Sequence, residues 1–140
     1  WFDTAEFYGR GRSERALAAA LQAAGMAPGQ VVVATKWWPM FRGAGSIRAT
    51  VGDRVAALRP YGIDLHQVHN PFALASTAAQ MNAMADLVDA GIVRAIGVEL
   101  DRRRLSFAVW SVLSERLLQR PHAAVAASSA KLFTGCRYHA

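Results

Sequence analysis

Short apolar runs that each end in a polar side chain recur at almost constant spacing along this chain. The run ends are Asp3, Lys36, His69 and Glu99, separated by 33, 33 and 30 residues. A strand, a helix and two connections occupy about 30 residues, and right-handed crossovers then lay successive strands parallel. The repeat therefore restricts the chain to an α/β fold built on a parallel sheet.

The intervals carry the matching signals. Phe2 to Ala5 reads as the end of a strand, and the segment around Gly9 and Gly11 as a loop. Ser13 is expected to cap a first helix, with Glu14 in its first turn, Ala16, Leu17, Ala20, Leu21 and Ala24 on its buried face, and Gly25 as its stop. The β-branched run Val31 to Thr35 suits a strand covered on both faces. Pro39, Gly43 and Gly45 then mark a loop. Ser46 is expected to cap a second helix with the stripe Ile47, Val51, Val55 and Leu58, ended by Pro60 and Gly62. A third strand runs from Ile63 to Val68. A third helix runs from about Ser76 to Ala90, with Met81, Met84, Leu87 and Val88 inward. Ile92 to Val98 reads as a fourth strand, and Asp101 as the cap of a fourth helix carrying Leu105, Ala108, Val109, Val112 and Leu113.

A doubly wound sheet and a (β/α)8 barrel both fit this order. No Gly-x-Gly-x-x-Gly follows a strand and opens a helix, which favours the barrel. Such a barrel takes about 250 residues, and about four β/α units are visible here. The expected fold is thus a partial parallel (β/α)8 barrel over residues 1–116, followed by a divergent tail, 117–140, rich in Ala and Ser.

Composition narrows the partners. Hydrophobic residues make up 53% of the chain, ample for a core. The net charge of +6 is compatible with an anionic partner, but the aromatic residues are not interleaved with the arginines as in a single-strand-binding groove, so nucleic acid is not expected. One cysteine, Cys136, allows no internal disulfide and no zinc-like pair, which fits a reducing cytoplasm and no metal. No apolar stretch approaches the roughly 18 residues of a membrane span. Trp1 falls inside a predicted strand, so further residues are expected before it in the same fold.

Parallel strands bring their C-terminal ends to one rim, so Asp3, Tyr8, Lys36 and His69 are expected to converge there. A free phenol has a pKa of about 10 and donates its proton poorly near neutrality. An adjacent ammonium favours the phenolate, a carboxylate keeps that ammonium charged and placed, and a histidine can orient a carbonyl beside the phenol. This is an apparatus for protonating a carbonyl oxygen while a cofactor delivers hydride to its carbon. Singly, each of these side chains has an ordinary structural explanation; their placement at matched strand ends favours chemistry. Of Trp37 and Trp38, one is expected to wall the site and the other to pack, since successive strand side chains point apart. His66 is expected on the face of its strand opposite the site.

Asp3-Thr4-Ala5-x-x-Tyr8-Gly9, the Ser13-Glu14 helix start, Val33-Ala34-Thr35-Lys36, Asp64-Leu65-His66-Gln67-Val68-His69-x-Pro71 and Gly91-x-Val93-Arg94-x-Ile96-Gly97-Val98 resemble the aldo-keto reductase family in order and spacing. The resemblance covers roughly residues 1–116. It implies a (β/α)8 barrel that binds NADPH at its C-terminal rim and reduces an aldehyde or ketone. By resemblance Tyr8 is the general acid, Lys36 and Asp3 tune it, His69 orients the carbonyl, Trp38 walls the substrate pocket, and Asp3 also borders the cofactor.

Two departures shape the expectation for this chain. Glu99-Leu100 stands where the family commonly has the Ser-Asn pair that holds the nicotinamide carboxamide, and the family's Lys/Ser/Arg-containing phosphate-gripping segment is absent. Little or no NADPH binding, and weak or no activity by this chain alone, are therefore expected. The alternative is a non-catalytic half-barrel remnant that self-associates through open barrel edges. Loss of pattern after Arg116 would also follow from a reading-frame change in the gene.

Overall fold

The computed structural model describes residues 1–70 and 72–98. Seven elements alternate: β1 (Phe2–Asp3), α1 (Arg12–Ala23), β2 (Val33–Trp37), α2 (Gly45–Leu58), β3 (Ile63–Val68), α3 (Thr77–Asp89) and β4 (Val93–Val98). The strands form one sheet in the order β1-β2-β3-β4, every neighbouring pair parallel. Sequential strand order with the helices on one face is the arrangement of part of a (β/α)8 barrel, the expected fold, rather than of a doubly wound sheet. The expected strand end at Glu99, the Asp101 cap with its helix, the 117–140 tail, Cys136 and Pro71 lie outside the described residues.

The helices pack their apolar stripes on one face of the sheet. Ala18 and Leu21 of α1, Ile47, Val51 and Leu58 of α2, and Ala83, Met84 and Leu87 of α3 share a buried core with Val33, Trp37, Val68 and Ile96. The expected α2 stripe is present, with Val55 only partly buried. Register defines the other face. Ala34 pairs with Leu65, Lys36 with Gln67, and these with Ala95 and Gly97, so their side chains share the side away from the helices. Thr35, His66 and Ile96 pair in turn and face the helices, which places His66 away from the site as expected.

Three helix expectations are corrected. α1 begins at Arg12 behind a left-handed Gly11, with no side-chain cap; the Ser13 hydroxyl instead accepts a hydrogen bond from Thr4 Oγ1 at 3.0 Å. α2 begins at Gly45 behind Ala44, and Ser46 Oγ is taken up by Trp37 Nε1 at 3.1 Å and Arg42 Nε at 3.1 Å. At Ser13 a tertiary partner takes the hydroxyl, and at Ser46 the hydroxyl accepts from Trp37 and Arg42 while donating to Gly43 O at 2.8 Å, away from the helix N-terminal amides. On α1 the buried positions are Glu14, Ala18 and Leu21, while Ala16, Ala20 and Ala24 face solvent. The helix is turned because Glu14 is drawn inward by a cation on α2. By contrast Ser76 caps α3 as expected, its Oγ accepting from Ala79 N at 3.2 Å. α2 stops at Leu58 because Arg59, which precedes Pro60, takes an extended conformation with ψ 140.

His66 is 1% exposed, and burial lowers its pKa to about 4, against a backbone hydrogen bond with Thr35 that acts in the opposite direction. The unfolded chain therefore takes up a proton near pH 6.5 that the folded chain refuses until about pH 4. This contribution to stability is complete above the unfolded value and is lost as pH falls through that window. Urea unfolding at about pH 5 should show a loss of about 2 kcal/mol relative to about pH 7 that is missing in His66→Gln. Parallel pH profiles for the two proteins would contradict the assignment.

Candidate active site

The rim of the sheet is built from the three turns that follow β1, β2 and β3. After β1 the ladder continues past the strand, with Thr4 N donating to Ala34 O at 2.9 Å and Glu6 N to Lys36 O at 3.0 Å. The chain then turns, Tyr8 N donating to Ala5 O at 3.0 Å, and Gly9, Arg10 and Gly11 all take positive φ before α1 starts. Gly11 is required twice over: φ is +81°, and a Cβ there would lie 3.2 Å from Arg54 Nη2. This tight left-handed stretch holds Tyr8 over the strand ends.

Lys36 stands at the centre. Its side chain is 2% exposed, and Nζ donates to Asp3 Oδ2 at 2.5 Å and to Thr4 O at 3.2 Å. Nζ also lies 5.6 Å from the centroid of the Tyr8 ring. An ammonium this buried is sustained by its carboxylate and carbonyl partners, while Asp3 keeps 47% of its side chain in solvent. His69 lies just past β3, and its backbone N donates to Trp37 O at 3.0 Å. Its ring meets Tyr8 edge to face, with centroids 5.5 Å apart at 89°. Asp3, Tyr8, Lys36 and His69 are thus brought together from three separate strand ends.

Trp38 closes one side. It stacks on Phe7 at 4.2 Å and 20°, and lies perpendicular to His69 at 5.1 Å. Trp37 points the other way and is 1% exposed, its indole N–H held by Ser46. The two neighbouring tryptophans divide between wall and core as strand alternation requires.

Beneath these turns lies a chain of charges that reading the sequence did not locate. Arg54 of α2 pairs with Glu14 of α1 through Nε at 2.9 Å and with Glu6 through Nη1 at 3.2 Å. Glu14 also accepts from Thr35 Oγ1 at 2.6 Å. Burial pushes the Glu14 carboxyl up, opposed by the Thr35 hydroxyl and the Arg54 charge. Glu6 Oε2 accepts from Arg42 Nη1 at 2.9 Å and from the backbone N of Trp38 at 3.0 Å. Arg42 further donates to Trp38 O and Thr50 Oγ1. Arg54 itself is 8% exposed. A signal was present: Arg54 falls on the Ile47, Val51 and Leu58 stripe, where an arginine needs a buried anionic partner.

Residues 1–112 match the model of the aldo/keto reductase family. The chain belongs to the aldo/keto reductase family. It is 38% identical over 97 residues to an oxidoreductase of Mycobacterium tuberculosis, an alignment covering 69% of this chain and 29% of that protein. An aldo-keto reductase of Bacillus subtilis is 38% identical over 104 residues, covering 69% of this chain and 31% of the relative. The chain therefore spans about a third of the length of these relatives. Among solved structures, an aldo-keto reductase from Klebsiella pneumoniae in complex with NADPH aligns with TM-score 0.62 and 26% identity, over 71% of this chain and 34% of that one. A thermostable aldo-keto reductase in complex with the inhibitor epalrestat aligns with TM-score 0.63 and 28% identity, over 72% and 36%. Among the described residues, no helix is long and apolar enough to cross a membrane, and no cluster of metal-ligating side chains occurs.

Replacing Arg54 leaves Glu14 buried without its cation. Arg54→Leu should cost about 3 kcal/mol or more in urea unfolding. Arg48 forms an exposed pair with Asp86, and Arg48→Leu should cost about 1 kcal/mol or less. Equal losses would show that burial does not distinguish the two pairs.

Proposed function

We propose that this chain carries the proton-donating part of an NADPH-dependent oxidoreductase that reduces a small aldehyde or ketone to an alcohol. The observation that carries the reading is the position of the Lys36 ammonium, bonded to Asp3 on one side and facing the Tyr8 ring on the other, with His69 edge-on to that ring.

Each side chain has a distinct task. Tyr8 gives its phenolic proton to the carbonyl oxygen. Lys36 stabilises the negative charge left on the phenol oxygen, and Asp3 keeps the ammonium charged and aimed. His69 donates to the carbonyl oxygen and orients it beside the phenol. Trp38 walls the substrate pocket, with Phe7 stacked behind it. Bound reduced nicotinamide would supply hydride to the carbonyl carbon.

The donor set fits the reacting end of that cofactor. The half-exposed Asp3 carboxylate and the Gln67 side chain, level with Lys36 on the face away from the helices, offer polar groups to a nicotinamide ring. The anionic half is different. Among the described strands the cations are Lys36, committed to Asp3, and Arg94, paired with Asp64 at 2.8 Å. The described strands themselves therefore offer no uncommitted cation to the phosphates. The Glu99-Leu100 departure lies outside the described residues.

A second reading, a non-catalytic half barrel that self-associates, draws on β1 and β4 being the outer strands of the described sheet. Background-level turnover in the unmodified chain together with concentration-dependent association in gel filtration would favour it.

Where the unmodified chain reduces an aldehyde with NADPH above background, Tyr8→Phe should lower that rate by about 100-fold or more, the range of general acid catalysis. The unfolding midpoint should move little, because Tyr8 is 41% exposed. Unchanged turnover would overturn the assignment. Titration of this chain with NADPH, followed by cofactor fluorescence, should not saturate in the micromolar range. A micromolar Kd would show that the phosphates are held without a cationic segment.

A further inference from the structure

We propose that Glu6 is a positioning residue for the pocket wall, a role that rests on reading the site as a carbonyl-reducing centre. The wall is the stack of Phe7 on Trp38, two residues from different turns. Phe7 is 55% exposed, so packing from behind holds it poorly. Glu6 fixes both members. It is the covalent neighbour of Phe7, and its Oε2 accepts the backbone N–H of Trp38 at 3.0 Å. Its own backbone N–H is anchored on Lys36 O at 3.0 Å, which ties the clamp to the strand that carries the central ammonium.

The carboxylate is held in place by two guanidinium groups. Arg42 reaches Oε2 at 2.9 Å and Arg54 reaches Oε1 at 3.2 Å. Glu6 is 18% exposed and Arg42 23%, so solvent screens these charge-assisted bonds little. Arg42 carries the brace to the third turn as well: it donates to Trp38 O at 3.0 Å, and its backbone carbonyl accepts from Leu74 N at 3.2 Å. None of these groups faces Tyr8 in a hydrogen bond, yet together they hold Trp38 where its ring meets His69. Removing the Glu6 carboxylate takes the acceptor from the Trp38 amide and the anion from Arg42 at once. Trp37, next in sequence, is anchored separately in the core and by Ser46.

The test uses the full chain labelled with 5-fluorotryptophan, each 19F line assigned by a single Trp→Phe variant. In Glu6→Ala the Trp38 line should shift and sharpen as the ring gains motion, while the Trp37 line stays in place and far-UV circular dichroism is retained. If Glu6→Ala does not fold, Glu6→Asp keeps the charge but withdraws the carboxylate from the Trp38 amide, and the same shift is expected. An unmoved Trp38 line in a folded variant overturns the proposal. So does an equal shift of Trp37, or failure of both variants to fold, which would make the carboxylate a requirement of the fold. The measurement needs neither cofactor nor turnover, so its outcome is separate from that of Tyr8→Phe.

Discussion

The described structure depends on one guanidinium placed between two carboxylates. Arg54 sits on the buried stripe of α2 and reaches Glu14 on α1 and Glu6 in the turn above β1. A charge in that position is tolerable only when paired, because desolvation is otherwise too costly. The pairing therefore does more than neutralise. It sets the rotation of α1, so that Glu14 rather than Ala16, Ala20 and Ala24 faces inward, and it fixes the turn in which Phe7 and Tyr8 are carried.

The rim above this pair is organised in two tiers. In the lower tier Glu6, Arg42 and Arg54 join backbone to side chain across the first two turns, with Leu74 drawing in the third. In the upper tier Lys36 joins Asp3, and Tyr8 and His69 meet edge to face. The lower tier is largely buried and shapes the turns. The upper tier keeps Asp3 and Tyr8 partly in solvent, where a reacting molecule can reach them. Separating support from exposed chemistry in this way keeps the exposed groups in place without burying them.

How legible the molecule was in its residues differs between these tiers. The upper tier was readable because it depends on periodicity: polar residues about 30 apart at strand ends must arrive at one rim. Trp37 and Trp38 separate for a similar reason, since adjacent strand side chains point to opposite faces. The lower tier was not readable in the same way. Ser13 and Ser46 carry the residue type of helix caps, yet each spends its hydroxyl on a tertiary partner, Thr4 in one case and Trp37 with Arg42 in the other. Ala16, Ala20 and Ala24 looked like a buried stripe because alanine is neutral about its face. The orientation was decided by Glu14, whose partner lies 40 residues away in sequence on another helix.

What the sequence by itself determined is the alternation of strand and helix, the parallel sheet and the identity of the four side chains at its rim. These follow from local pattern and from the handedness of crossovers, which are properties of short segments. Only the tertiary structure decided that Phe7 stacks on Trp38, and that Glu6, Arg42, Arg54 and Glu14 form one chain of charges. The physical reason is that a charged side chain has no preferred partner until burial removes water as the alternative, and burial is a property of the folded whole.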